Sequence, residues 1–201
     1  MQTGRFYGTH HHKVDAKGRL SVPAAFRRVI EAEDPELARA RAAGLVADQL
    51  PAPRLMVLTG SRRIRREDPG RWRLECLTVE RLREYQEAVA RHPRGSRARR
   101  AGEYYFSTWV QELRVDANGR IVLPAELRAD FGLEDEALFV ARNDRFEIWS
   151  PAAHEKVEAE AIDALFGTGF DPFELVDPPA DNAAQGAATD GSGGSDDDGR
   201  A

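Results

Sequence analysis

Fourteen residues recur in this chain at a fixed offset, and that duplication constrains the fold more than any other feature. Val14–Arg27 reads VDAKGRLSVPAAFR, and Val115–Arg128 reads VDANGRIVLPAELR. Eight positions are identical: Val14/Val115, Asp15/Asp116, Ala16/Ala117, Gly18/Gly119, Arg19/Arg120, Pro23/Pro124, Ala24/Ala125 and Arg27/Arg128. Leu20/Ile121 and Phe26/Leu127 are conservative pairs, and the offset of 101 holds without a gap. Two copies of one structural unit are therefore expected, one in each half of the chain.

Each copy has a local logic. An extended stretch enters, His12–Val14 or Glu112–Val115. A tight turn follows, in which the Asp15 and Asp116 carboxylates accept backbone N–H groups two residues on. Gly18 and Gly119 supply the positive φ of the turn, and Asn118-Gly119 is the strongest hairpin signal in the chain. A short strand comes next, Arg19–Val22 or Arg120–Leu123. Pro23 and Pro124 keep the preceding residue extended and open a helix, Ala24–Ile30 or Ala125–Phe131, the latter stopped by Gly132. Each half thus opens strand–turn–strand–helix. Lys17, Arg19 and Arg120 sit at or just after the turns, where side chains reach solvent. Bracing of the turn by an Asp–Arg pair and presentation of a cation to a partner are compatible roles.

Between and after the copies, Glu31–Pro53 reads as a helix or insert followed by a loop. Leu55–Leu58 and Trp72–Leu77 read as strands, with a basic loop over Gly60–Arg71. Thr78 caps a helix over Val79–Arg91, in which Val79, Leu82, Tyr85, Ala88 and Val89 recur at helical spacing. His92–Gly95 breaks it, and a second helix fades near Ser107. Trp109–Val115 is extended, Ala137–Trp149 forms a hairpin around Asn143-Asp144, and a last helix from Ser150 or Pro151 ends near Gly167. Residues 177–201 contain no Val, Ile, Leu, Met or aromatic residue but six Asp and five Gly, so a disordered, acidic, solubilising tail is expected.

Composition narrows the function. The longest apolar run is five residues, Ala137–Ala141, against the roughly 20 needed to span a bilayer. The first twenty residues lack the apolar core of a secretory signal, so a cytoplasmic protein without a membrane partner is expected. One cysteine, Cys76, excludes a disulfide framework and a multi-cysteine zinc site. His10-His11-His12 alternate faces on a strand and cannot converge on one ion, so no metal and no other cofactor is expected. Phosphate-loop, nucleophile-elbow and cysteine-nucleophile signatures are absent, and no small-molecule site is evident, which argues against an enzyme.

The net charge of −5 hides an asymmetry. Residues 1–100 hold 22 Lys+Arg and 12 Asp+Glu, whereas residues 101–201 hold 7 and 22. Of the basic residues 26 are Arg and 3 are Lys. Arginine is the better fork for phosphate and guanine edges, although a GC-rich genome yields the same bias. The clusters at 62–66 and 94–100 suit phosphate contact, a solvated face, or pairing with the acidic second half.

The two Asp-x-x-Gly-Arg-x-x-x-Pro segments, Asp15–Pro23 and Asp116–Pro124, resemble the MraZ family of the SpoVT–AbrB-like superfamily. Phe6-Tyr7-Gly8 and Phe146-Glu147-Ile148-Trp149 support the likeness, which covers roughly residues 5–165. The resemblance implies an α+β fold: two pseudo-symmetric β-α-β halves form one small barrel with flanking helices. The first unit would span 5–60 with an insert at 31–53, and the second 109–165. The basic loop and connecting helices, 61–108, would lie between them. It further implies a ring-shaped homo-oligomer that binds direct repeats in double-stranded DNA and represses the division and cell-wall gene cluster, a nucleoid-associated regulator. The family's DNA-contacting turn positions match Lys17 and Arg19 and, by pseudo-symmetry, Arg120. Asn118 stands where the first copy has a cation, so the second turn should grip phosphate less well. Asp15, Gly18, Asp116 and Gly119 would shape the turns. The competing reading is an antitoxin-like protein-binding module of the same superfamily. The duplicated unit and a tail without apolar anchors weigh against it. RNA binding is weakened by the lack of an aromatic platform on a strand.

Overall fold

Eight short strands among the described residues build this molecule as one antiparallel sheet of six and a separate ribbon of two, with the central strands of the large sheet buried throughout. The computed structural model describes residues 4–176 except 66, 168 and 170. The acidic tail at 177–201 and Arg66 of the first arginine cluster therefore lie outside the described residues.

The strands are β1 (Thr9–Lys13), β2 (Arg19–Ser21), β3 (Arg54–Leu58), β4 (Leu74–Leu77), β5 (Val110–Arg114), β6 (Arg120–Val122), β7 (Glu136–Ala141) and β8 (Phe146–Trp149). The helices are α1 (Ala24–Ala32), α2 (Pro35–Ala42), α3 (Gly60–Ile64), α4 (Val79–Ala90), α5 (Arg97–Glu103), α6 (Ala125–Phe131) and α7 (Pro151–Phe166). The large sheet runs β1-β7-β8-β4-β3-β5, and β2 pairs with β6. That order is open, with β1 and β5 at its edges, so the closed barrel expected from the resemblance is not found. The mixed α+β class is.

The halves exchange strands. β1 pairs with β7 of the second half, and β5 pairs with β3 of the first. Read from either edge, the order visits corresponding strands of the repeat. The β7–β8 hairpin turns through Asn143 at φ +66°, with Arg142 N–H donating to Arg145 O at 2.8 Å. Asparagine tolerates that left-handed backbone better than most residues, which is why the two-residue turn is visible in the sequence.

The core gathers on this exchange. Phe26 of α1 meets Phe6 at 5.1 Å and Phe146 at 5.0 Å between ring centroids, and Phe146 meets Phe139 at 5.7 Å. Each of these rings is essentially buried, which is worth about 1.5–3 kcal/mol per side chain. Cys76 also lies in this core, and burial pushes its thiol well up, which leaves it an inert packing residue.

Three stretches add detail to expectation, and one of them departs from it. The segment 31–53 holds the end of α1, then α2 and a loop with a short 3-10 turn, in keeping with a helix or insert followed by a loop; Asp34 caps α2, accepting from Glu36 N–H at 2.9 Å. Asp34 is then pinned by Arg54, which donates to it from Nη2 at 2.6 Å and from its backbone N–H at 2.9 Å. Gly60–Arg71 is not a basic loop but holds α3 and a short 3-10 turn, Pro69–Arg71. Close approach of the Tyr105 ring requires glycine at the start of α3, since a Cβ at Gly60 would lie 2.5 Å from it. The second helix after His92 runs to Glu103 as α5 and on as a π turn, Tyr104–Thr108, and so fades near Ser107 as expected. The described residues up to Glu158 form one compact unit, and a second begins at 159 within α7. No helix among the described residues is long and apolar enough to cross a membrane.

At the seam of the large sheet, β4 and β8 place Glu75 directly opposite Glu147. Like charges so placed repel. Arg73 forks between them, donating from Nη2 to Glu75 at 2.7 Å and from Nε to Glu147 at 2.8 Å. Burial alone pushes the Glu147 carboxyl up, but Arg73, the Trp149 indole N–H and Arg142 outweigh it and hold it below its ordinary value. Removing Arg73 leaves the two buried carboxylates facing each other, with Tyr105 still on Glu75 and with Arg142 and Trp149 still on Glu147, so Arg73→Leu is expected to cost up to about 3–5 kcal/mol at neutral pH. A depressed carboxyl contributes stability that is lost as pH falls through its folded pKa. The gap between wild type and variant should therefore narrow on acidification in urea unfolding. A constant or widening gap would contradict this account of the seam.

Candidate nucleic-acid interface

The two repeat turns are built alike, bond for bond. In the first, Asp15 Oδ1 accepts from Lys17 N–H and Arg19 N–H, each at 2.9 Å. In the second, Asp116 Oδ1 accepts from Asn118 N–H and Arg120 N–H, each at 2.9 Å. Gly18 N–H donates to Asp15 O at 2.7 Å and Gly119 N–H to Asp116 O at 2.8 Å. The two glycines sit at φ +76° and +75°, where a side chain would be strained.

Both arginines fold back on their own aspartates. Arg19 Nε donates to Asp15 Oδ2 at 2.6 Å. Arg120 Nε and Nη2 reach Asp116 Oδ2 at 3.0 and 2.9 Å. A guanidinium has five N–H donors, so these bonds orient the fork without exhausting it. The side chains stay 38% exposed at Arg19 and 30% at Arg120, which leaves both accessible to a partner. The leading cause of the lowered Asp15 pKa is the Arg19 backbone N–H. At Asp116 desolvation acts upward, but the Arg120 N–H and guanidinium and the Asn118 N–H outweigh it.

The β2–β6 ribbon puts the turns in fixed relation. Arg19 stands opposite Val122, Leu20 opposite Ile121, and Ser21 opposite Arg120. Directly opposed residues share a face and successive ones alternate. Leu20 and Ile121 are fully buried, so Arg19 and Arg120 project together from the outer face. Two further bonds tie each turn to the other half: Val22 N–H to Gly119 O at 2.9 Å and Leu123 N–H to Gly18 O at 2.8 Å.

Sequence reasoning overlooked a second pair of arginines. Arg27 of α1 lies across the second turn, so close that a Cβ on Gly119 would collide with its Nη1. Arg128 of α6 lies across the first, 2.9 Å through Nε from a Cβ on Gly18. Each helix thus straps the turn of the opposite half. The signal was present, since Arg27/Arg128 is one of the eight identities, but only the strand exchange reveals what each residue touches.

The turns differ in one surrounding. In the first half residues 33–53 separate α1 from β3, whereas residues 132–135 suffice between α6 and β7. The insert walls a cleft of about 370 Å³ against the second turn, lined by Glu31, Arg41, Asp48, Arg27 and Asp116 among others. The histidine run lies elsewhere, on edge strand β1. His10 packs edge-on against Phe26 and His12 against Phe139, while His11 pairs with Glu136 at 3.3 Å. No group of metal-ligating side chains forms among the described residues.

Gly119→Ala is expected to lose about 1–3 kcal/mol, from a strained φ compounded by the Arg27 clash. Gly44, also at positive φ but with nothing within 4 Å of a Cβ, is the control. Its alanine variant should lose less in thermal unfolding, and equal losses would deny the strap. The depressed Asp15 carboxyl contributes stability above its unfolded pKa that disappears as pH falls through the folded value. An NMR titration should give Asp15 a midpoint below that of an ordinary aspartate and show Arg19→Ala raising it.

Comparison with known proteins identifies the family. The family model described as "MraZ protein, putative antitoxin-like" matches residues 109–170. A Transcriptional regulator MraZ from Ruegeria sp. (strain TM1040) is 40% identical over 176 residues, 86% of this chain and 95% of that relative. The protein of the same name from Ruegeria pomeroyi is 39% identical over 176 residues, with the same coverage. That from Rhodospirillum rubrum is 32% identical over 152 residues, 75% of this chain and 82% of its own. With so much of both chains aligned at this identity, this protein belongs to the MraZ family.

Proposed function

We propose that this chain is a transcriptional regulator that binds double-stranded DNA through its two repeat turns. One observation carries the reading: the β2–β6 ribbon holds Arg19 and Arg120 on a single outward face, each braced by its own aspartate. A pre-oriented fork loses little freedom when it engages a phosphate or a guanine edge. Arg19 reads bases in the major groove, and Lys17 and Arg120 hold the backbone, with Asn118 the weaker partner at the second turn. The names of the relatives support the regulatory role.

One chain offers few such cations, and phosphate contact alone is weak and salt-dependent. A ring of identical subunits on direct repeats supplies several copies at high effective concentration. Repression of the division and cell-wall gene cluster is the regulatory outcome we assign, with units at 5–60 and 109–165 as the two halves of the reader. No catalytic step or cofactor enters this scheme. The description of the matching family as antitoxin-like supports a second reading, a protein-binding module. Co-purification of a stoichiometric protein partner from native cells would favour it.

Genomic DNA captured by the purified protein and sequenced defines the operator, and native mass spectrometry the stoichiometry. On that operator Arg19→Ala should weaken binding by about 1–3 kcal/mol in a gel-shift titration. Asn118→Lys, which restores the cation of the first copy, should tighten binding and steepen its salt dependence. Unchanged affinity for Arg19→Ala would remove the turns from the interface.

A further inference from the structure

The two arginine clusters are distant in sequence but joined on the surface. The Arg63 guanidinium carbon lies 5.8 Å from the Trp109 ring centroid. Tyr104 lies against the same indole, 5.7 Å between centroids and tilted by 39°. Tyr104 follows directly on α5, one turn beyond Arg100, which is one turn beyond Arg97. Arg63, Trp109, Tyr104, Arg100 and Arg97 thus form a continuous basic strip, with exposed Arg94 in the corner that leads into α5.

The opposite side of α5 is committed to α4. Arg99 turns back and donates from Nη1 to Ala90 O at 3.0 Å while its Nε meets Glu103 at 2.8 Å. Gly102 packs so closely that a Cβ there would come within 2.5 Å of Val89. The strip is therefore the free face of a fixed helical corner.

Its charges are also left open. Several other arginines are instead neutralised: Arg62 by Asp130, Arg73 by Glu75 and Glu147, Arg81 by Glu84, Arg83 by Glu87. Arg63, Arg94, Arg97 and Arg100 are exposed and have no carboxylate partner among the described residues. No acidic residue occurs between Glu87 and Glu103. Four unpaired guanidinium forks on one rigid face match phosphate oxygens. Single strands need a row of open rings for successive bases; here Tyr104, 56% exposed, lies against Trp109, whose ring is also covered by Arg63.

We propose that this strip is a second DNA-binding surface, which grips the backbone of duplex DNA without reading its sequence. The inference rests on the DNA-binding reading above and adds to it a sequence-independent site.

The test is fluorescence anisotropy of the full chain on operator duplex and on a scrambled duplex of equal length, across a series of KCl concentrations. The variant carries R63Q, R94Q, R97Q and R100Q together. Affinity for both duplexes should fall by one common factor, roughly ten-fold or more, and the salt slope by about 0.9 for each phosphate no longer neutralised. Arg19→Ala, in contrast, should erode the preference for the operator. Lysines at the same four positions should preserve most of the slope, and a loss as large as with glutamine would overturn the charge-based account. Wild-type affinity and slope in the glutamine variant would overturn the inference, as would a loss confined to the operator. A wild-type chain that binds neither duplex would instead overturn the DNA-binding reading itself.

Discussion

Three residues of backbone pairing hold the two repeat turns in register. The β2–β6 ribbon is short, yet the two turns, the buried Leu20–Ile121 pair and the outward arginines all take their positions from it. Its bonds extend past the strands into the turns themselves, through Val22 to Gly119 and Leu123 to Gly18. A slip of one residue would reverse every face, burying Arg19 and exposing Leu20. The buried side chains therefore set the direction of the charged ones, and the aspartates only refine it.

Much of this was legible in the amino-acid order because local chemistry decided it. The turns follow from Asp, Gly and Arg at fixed spacing, α4 from Thr78 and an apolar stripe, and the β7–β8 hairpin from Asn143-Asp144. The places where reading the chain fell short are those where distant contacts decide. Nothing local marks α3 as helical; what the sequence hides is that Tyr105 packs against Gly60 and that Arg73 N–H donates to Ser61 Oγ. Asp34 reads as one acid among many until Arg54, twenty residues on, makes it the pin that separates α1 from α2. The straps of Arg27 and Arg128 are hidden for the same reason, since each touches the half to which it does not belong.

The seam between β4 and β8 shows the same limit in electrostatic form. Glu75 and Glu147 look like surface charges by composition, but their register brings them face to face in the sheet. Arg73 between them, with Arg142 and Trp149 on Glu147, makes that register tolerable. Tyr105 adds a hydroxyl to Glu75 at 2.8 Å, which links the seam to the π turn that follows α5.

The exchange of β1 and β5 between the halves has a further consequence. A nick at the Pro93–Ser96 corner would divide the chain into two fragments, each carrying one copy of the repeat. Neither fragment would own a finished sheet: the first would retain β3 and β4 without the outer neighbours, the second β7 and β8 likewise. Such pieces would remain incompetent alone and regain shape by mutual complementation, which makes that corner a natural place to divide the protein into a split reporter.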